Sequence, residues 1–266
     1  MIIYTKNDSV ADFPRFEESR SELLHTLNLE GENLICFAGR PGMGKSALAL
    51  YLALEYAKTN SKAVHIFSLE MPAKEIINRL LIILSEVDSY TFRKKSFLDE
   101  EKDRVELAKK QLACLDLAIH DDISLSVKQI EEKMAGVDNL GLIIVDYVQL
   151  LMSEHRMNSR MDECREISRQ LKALSKHLNI PIIFNSQTSR SVEYRKDKRP
   201  GLRDLNGVGV FEEDLDTACF LYRKGYYEPF DDPEKAEVII PKNKLGDGGV
   251  LQLKWQGKCM KFSQEW

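Results

Sequence analysis

Residues 33–46 read Asn-Leu-Ile-Cys-Phe-Ala-Gly-Arg-Pro-Gly-Met-Gly-Lys-Ser. The first six are an almost unbroken apolar run, the pattern of a strand buried on both faces, as in a parallel sheet. The next eight, Gly39 to Ser46, fit G-x-x-x-x-G-K-[ST]. A helix over about Lys45 to Lys58 is expected to follow. Strand, glycine loop and helix in that order are the context a phosphate-binding loop requires. The glycines let backbone N–H groups curl around phosphate oxygens, and the helix N-terminus adds partial positive charge. The candidate nucleotide contacts are Gly39, Arg40, Pro41, Gly42, Met43, Gly44, Lys45, Ser46 and Ala47. Within that set Lys45 reaches the β- and γ-phosphates and the Ser46 hydroxyl ligates magnesium. ATP and Mg²⁺ are therefore the expected cofactors.

Outward from this loop, strand and helix patterns alternate, which predicts a mostly parallel sheet covered on both faces. Strands are expected at Ala63 to Ser68, Leu117 to His120, Leu140 to Val145 and Pro181 to Asn185. Helices are expected at Pro72 to Val87, Asp99 to Leu115, Ser126 to Ala135 and Arg160 to His177. Thr188 to Val210 lacks periodicity and reads as a long loop. From Thr217 on the character changes to short strands: Thr217 to Tyr222, Ala236 to Ile240, Val250 to Trp255 and Met260 to Phe262. Gly246-Asp-Gly-Gly marks a hairpin turn between two of them. No linker interrupts the pattern, so residues 31–266 read as one domain, preceded by an N-terminal arm over 1–30.

Three strand ends carry polar residues suited to phosphate chemistry. Asp146 closes the apolar run LGLIIV and faces the phosphate loop at the carboxyl edge, where it can hold a magnesium shell. Glu70 follows the strand after the loop's helix and can orient an attacking water. Spacing alone reads it equally well as a carboxylate favoured by the dipole of the helix beginning at Pro72. Gln187, beyond PIIFNS, can touch a γ-phosphate or simply be a solvated strand end.

Composition narrows the class. Charged residues make up 30%, the net charge is −4 and the pI is near 5.9, which excludes a wholly basic nucleic-acid coat. The five cysteines are scattered with no C-x-x-C pair, consistent with reduced thiols in the cytoplasm. No apolar run approaches the roughly 20 residues that span a bilayer, and no signal peptide is expected at the start. One segment runs against the acidic balance. Arg190, Arg195, Lys196, Lys198, Arg199 and Arg203 face only Glu193 and Asp197. Local positive charge of this kind displaces counterions from DNA, and Tyr194 could stack on a base. A solvated mobile loop is the plainer reading of such a run.

Taken together, AGRPGMGKS (38–46), FSLEM (67–71), IIVDYVQLL (143–151), NSQTSRSVEYRKDKRPGLRDL (185–205), FEEDLD (211–216), FLYRKGYY (220–227) and IIPKNKLGDGGVLQL (239–253) resemble the motor domain of DnaB-type replicative helicases. The likeness covers about residues 31 to 263. It implies a RecA-like ATPase core and ring hexamers with ATP between neighbouring subunits. It also implies single-stranded DNA threaded through the ring, 5′–3′ unwinding, and a primase or helicase loader as partner. It assigns Lys45 and Ser46 to phosphate and magnesium and Asp146 to the magnesium shell. Glu70 becomes the catalytic base and Gln187 the γ-phosphate sensor. Lys242 becomes the hairpin-strand lysine that reaches a neighbour's nucleotide. Arg190, Arg195, Lys196, Lys198 and Arg199 become the DNA contacts.

The sequence departs from the family at three places. Lys244 stands where the family has an arginine finger, and lysine lacks the forked geometry. Asn206-Gly-Val-Gly209 stands where the family has an Arg-Glu-Ser-Gly run. About 30 residues precede the first core strand, too few for the family's N-terminal domain. These departures keep a second reading open, an ATP-binding accessory partner of a helicase ring with weak hydrolysis. A filament-forming recombinase is a third, opposed by the hairpin motif and the DKRP loop.

Overall fold

The computed structural model describes residues 2–4, 22–154, 157–206 and 212–264. Ten strands form one sheet: β1 (Ile2–Tyr4), β2 (Leu34–Gly39), β3 (Ala63–Ser68), β4 (Leu117–His120), β5 (Leu140–Asp146), β6 (Ile182–Gln187), β7 (Thr217–Tyr222), β8 (Lys235–Asn243), β9 (Gly249–Gln256) and β10 (Lys261–Gln264). Their order is β1-β4-β3-β5-β6-β2-β7-β8-β9-β10. The six strands from β4 to β7 run parallel. β1 pairs antiparallel with β4 at one side, and β8, β9 and β10 continue antiparallel from β7 at the other. The expected α/β core with a C-terminal antiparallel hairpin is the observed one, and the short strand expected at Met260 to Phe262 is β10, paired antiparallel with β9.

Around the sheet lie α1 (Glu22–Leu27), α2 (Lys45–Asn60), α3 (Ala73–Ser85), α4 (Ser89–Lys94), α5 (Asp99–Ala113), α6 (Val127–Met134), α7 (Arg160–Leu178) and the one-turn α8 (Arg203–Asn206) and α9 (Lys224–Tyr227). The two sheet faces are filled by alternate residues of the same strands, because successive side chains point to opposite sides. In β2, Ile35 and Phe37 join the cluster with α1, α2, α3 and α5, while Leu34, Cys36 and Ala38 join the cluster with α6 and α7. β5 divides likewise, Leu142 and Ile144 against Ile143 and Val145. Both faces being covered, an unpaired polar side chain within these strands would be costly, and the apolar runs follow from that.

Helix ends obey local chemistry. Ser126 and Gln129 form a reciprocal cap on α6, Gln129 N–H donating to Ser126 Oγ at 3.3 Å and Ser126 N–H to Gln129 Oε1 at 2.9 Å. Ser159 caps α7, which presents Ile167, Leu171 and Leu174 to the core. Pro72 is the N-cap of α3 rather than a residue of its first turn. Part of the expected N-terminal arm is built into the core, since Leu23 and Leu27 of α1 are fully buried in the first cluster. Residues 5–21 of that arm lie outside the described residues, as does the Gly207-Val-Gly209 stretch. The expected long loop after β6 contains a 3₁₀ turn, Arg190–Tyr194, and α8.

Candidate nucleotide site

The chain order reverses at β2. Its neighbours β6 and β7 come last among the parallel strands, and β3 lies beyond β5 and β6. An open parallel sheet binds ligands at such a switch point, outside the carboxyl ends of the strands. Register brings the candidate residues to that edge. Gly39 ends β2 beside Gln187 of β6, and Asp146 ends β5 beside Ser68 of β3. Leu69 N–H donates to the Asp146 carbonyl at 2.8 Å, which carries the chain past the edge to the exposed Glu70.

The phosphate loop has the backbone its glycines permit. Gly42 has φ of 80° and Gly44 of 102°, where a side chain is strained. Gly44 caps α2 with no side-chain acceptor for the helix's first N–H groups, which leaves them for an anion. Lys45 Nζ donates to the loop's own carbonyls, Gly39 O at 2.9 Å and Arg40 O at 3.2 Å. Burial pushes its ammonium down to about 8, against the pull of Asp146 and Glu70, while Arg40 lowers it further. A largely desolvated ammonium with two carboxylates nearby suits a polyanion that brings its own cation. Ser46 in the first turn of α2 and the buried Asp146 are the hydroxyl and carboxylate that could hold Mg²⁺ there. The hard oxygen donors fit that ion.

Not every candidate faces the same space. Met43 and Ala47 are buried core residues, so only their backbone is available to a ligand. Arg40 turns its guanidinium to Glu193 and to the Thr188 carbonyl. Lys242 and Lys244 lie at the opposite edge. Lys242 pairs with Ala218, two residues into β7, and β7 begins beside Ile35, near the start of β2. Three residues of strand, roughly 10 Å, separate that level from Gly39. There Lys242 Nζ donates to Glu212 O at 2.5 Å and Lys244 Nζ to Asp216 Oδ1 at 3.2 Å.

Three of the six cations of the basic segment are engaged with the protein itself. Arg195 bonds the buried Asp204 at 2.7 Å. Arg199 reaches both carboxylate oxygens of Glu237, at 2.9 and 2.5 Å. Lys198 lies 4.7 Å above the Tyr227 ring. Arg190, Lys196 and Arg203 are exposed, with no ion-pair partner among the described residues, and Tyr194 is 88% exposed.

The sequence reading missed an aromatic wall beside the phosphate loop. A Cβ on Gly44 would lie 3.0 Å from Phe262 Cζ and 3.5 Å from Trp255 Cζ3, and one on Gly42 would lie 3.1 Å from Tyr226. Arg223 sits 4.9 Å from the Trp255 ring centroid and donates to Gly42 O at 3.4 Å. Trp255 packs on Phe262 at 4.5 Å. A guanidinium and flat rings adjoining a phosphate loop can stack a planar heterocycle. Trp255 follows the hairpin motif, which gives no chemical signal for it.

The model of the DnaB-like helicase C terminal domain matches residues 24–264. The chain belongs to that family. It is 35% identical over 261 residues to a replicative DNA helicase DnaB of Rickettsia typhi, covering 86% of this chain and 52% of the relative. It is 36% identical over 242 residues to the replicative DNA helicase DnaB of Geobacillus stearothermophilus, covering 89% and 53%. The chain thus spans about half the length of these curated relatives. A solved DnaB-like replicative helicase, described with its interactions with primase, superposes with a TM-score of 0.87 at 31% identity, covering 92% of this chain and 60% of that one. A second solved structure, described as an ATPase domain, superposes at 0.86 and 31% identity, covering 92% and 89%. Among the described residues no helix is long and apolar enough to cross a membrane.

Proposed function

We propose that this chain is the ATP-hydrolysing motor of a ring-forming replicative DNA helicase, moving 5′–3′ on single-stranded DNA as a homo-hexamer, with a primase or helicase loader as partner. The observation that carries the reading is the separation of two cationic sites on one sheet. The phosphate loop with Asp146, Glu70 and Gln187 occupies the carboxyl edge, and Lys242 and Lys244 occupy the other. The hairpin lysines are too far from their own subunit's phosphate loop to serve it. A neighbour in a ring supplies the geometry that one subunit lacks.

In this reading the backbone N–H groups of residues 42–47 and the Lys45 ammonium hold the β- and γ-phosphates. Ser46 and Asp146 hold Mg²⁺, which when bound neutralises charge on the transferring phosphoryl group. Glu70 orients a water and takes its proton. Gln187, beside Gly39 on the adjacent strand, touches the γ-phosphate. Lys242 and Lys244 serve the neighbour's nucleotide. Arg223 and Trp255 stack the base. The primary energetic contribution is positioning and fixed charge.

Hydrolysis measured with and without single-stranded DNA, alongside mass on the same sample, tests the proposal. Turnover per subunit should rise as rings assemble and rise again with DNA. Rings that bind ATP but do not turn it over, with or without DNA, would favour the accessory-partner reading, in which Lys244 in place of arginine weakens the shared site.

A further inference from the structure

Arg40 is the second residue of the phosphate loop, yet its side chain is only 10% exposed and engaged elsewhere. Its Nε donates to Glu193 Oε1 at 2.9 Å and its Nη1 to the Thr188 carbonyl at 3.0 Å. Thr188 follows Gln187, and its own N–H donates back to Gly39 O at 3.3 Å. Glu193 belongs to the 3₁₀ turn that starts the basic segment, and the neighbouring Val192 anchors that turn in the interior. One guanidinium therefore ties the phosphate loop, the end of β6 and the root of the basic segment.

The main chain of the same residue meets Lys45, whose Nζ donates to the carbonyls of Gly39 and Arg40. A phosphate that takes Lys45 for itself removes those two donations, so that only the longer bonds of 3.3 Å, from Thr188 N–H to Gly39 O and from Met43 N–H to Arg40 O, hold the Arg40 main chain against a turn. Its side chain, held at two points by a rigid fork, carries that turn to Glu193. Resting on the function proposed above, we propose that the Arg40–Glu193 ion pair is a positioning pair. Through it, nucleotide at the phosphate loop sets the posture of the Arg190–Arg203 segment toward single-stranded DNA. Linkage makes the effect reciprocal, so DNA on that segment changes nucleotide affinity by the same factor.

The test is the ratio of affinities for a labelled single-stranded oligonucleotide with and without a non-hydrolysable ATP analogue and Mg²⁺, measured by anisotropy on the full chain. The wild-type ratio should lie between about 5 and 150, the span of ordinary coupling energies. Glu193→Gln should bring it near one while DNA-free hydrolysis stays within about twofold of wild type, a check that the fold and phosphate loop survive. Arg40→Lys should lower the ratio in the same way, because a point charge cannot hold both acceptors. Were Glu193 only a bystander charge, its neutralisation would tighten DNA binding equally in both states and leave the ratio intact; that result overturns the pair. A wild-type ratio of one also overturns it while leaving the helicase reading in place. No oligonucleotide binding in either state by assembled wild-type rings would remove both.

Discussion

The phosphate edge and the basic segment both look like anion sites in sequence, and the structure treats them differently. At the edge, Lys45 donates only to main-chain carbonyls that an entering phosphate can replace, and the first N–H groups of α2 lack a side-chain cap. In the segment, Arg195 and Arg199 are held by Asp204 and Glu237, carboxylates outside the run itself. Positive charge counted along a chain overstates the charge offered to a partner, because distant acidic residues return in three dimensions. Spacing within a motif suffers less of this dilution, since its geometry is local, and in the phosphate loop it touches Arg40, which Glu193 holds.

The sharpest way to break this contrast is at the edge. Glu70→Gln should lower turnover by about 10²- to 10⁴-fold, the usual worth of a positioned base. ATP should still bind, because the phosphate loop is untouched. Wild-type turnover in Glu70→Gln, measured by phosphate release, would take Glu70 out of the chemistry and leave it a helix-dipole carboxylate.

Next comes the opposite edge. Arginine fingers contribute about 10³- to 10⁵-fold, and Lys244 keeps the charge without the fork. Lys244→Ala should therefore cost turnover about tenfold or more while barely changing ATP affinity. Mixing it with Glu70→Gln should restore some activity, since mixed interfaces can pair an intact Glu70 with an intact Lys244. Turnover per subunit that stays constant on dilution, while mass shows rings falling to monomers, would sink the shared site.

How much of this is legible in the sequence follows from physical range. The strands β2, β3, β5 and β7 are readable because each is apolar on both faces, a pattern carried by six or seven consecutive residues. β8 reads only as Ala236 to Ile240 because Pro241 follows. The strand continues to Asn243, with the pairing to β7 shifting register around the proline, a position where the missing N–H is tolerated. β1 escapes the reading because a three-residue strand gains its meaning from β4, more than a hundred residues on. α1 and α4 are six residues each, too short for a periodic signal. The phosphate loop, Asp146 and Gln187 reach one edge by local spacing and strand register, so their placement is foreseeable. The wall of Arg223, Trp255 and Phe262 joins residues from separate strands and loops, and no spacing announces it.

A smaller effect follows from the protonation of Lys45. Burial lowers its ammonium from the ordinary 10.5 to about 8. Phosphate binding prefers the charged form, so affinity should be full below about pH 8 and fall as pH rises through it. The limiting slope is about tenfold per pH unit, one proton taken up per nucleotide bound. Calorimetry about one pH unit above that value, in buffers of different ionisation enthalpy, reads that proton directly. Proton uptake of zero there would show that Lys45 is already charged before ATP arrives.

The smallest effect separates the two halves of the basic segment. Each phosphate contact adds about 0.7 to the slope of log affinity against log salt on single strands. The sequence offers Arg195, Lys198 and Arg199 as readily as any other three cations. The structure distinguishes them, since Arg195 and Arg199 face carboxylates and Lys198 lies over Tyr227, while Arg190 and Lys196 are exposed. Replacing Arg190 and Lys196 by alanine should flatten the slope by about 1.4, twice the single-contact value. Replacing Lys198 and Arg199 should flatten it less, because Lys198 is already engaged over Tyr227 and Arg199 with Glu237, so neither stands free for a phosphate. Arg195 is the wrong probe, because its loss strands the buried Asp204 and risks the fold. Slopes that fall equally in the two double variants would mean that the ion pairs open on DNA. The segment would then deliver the full charge its sequence counts, and the contrast with the phosphate edge would disappear.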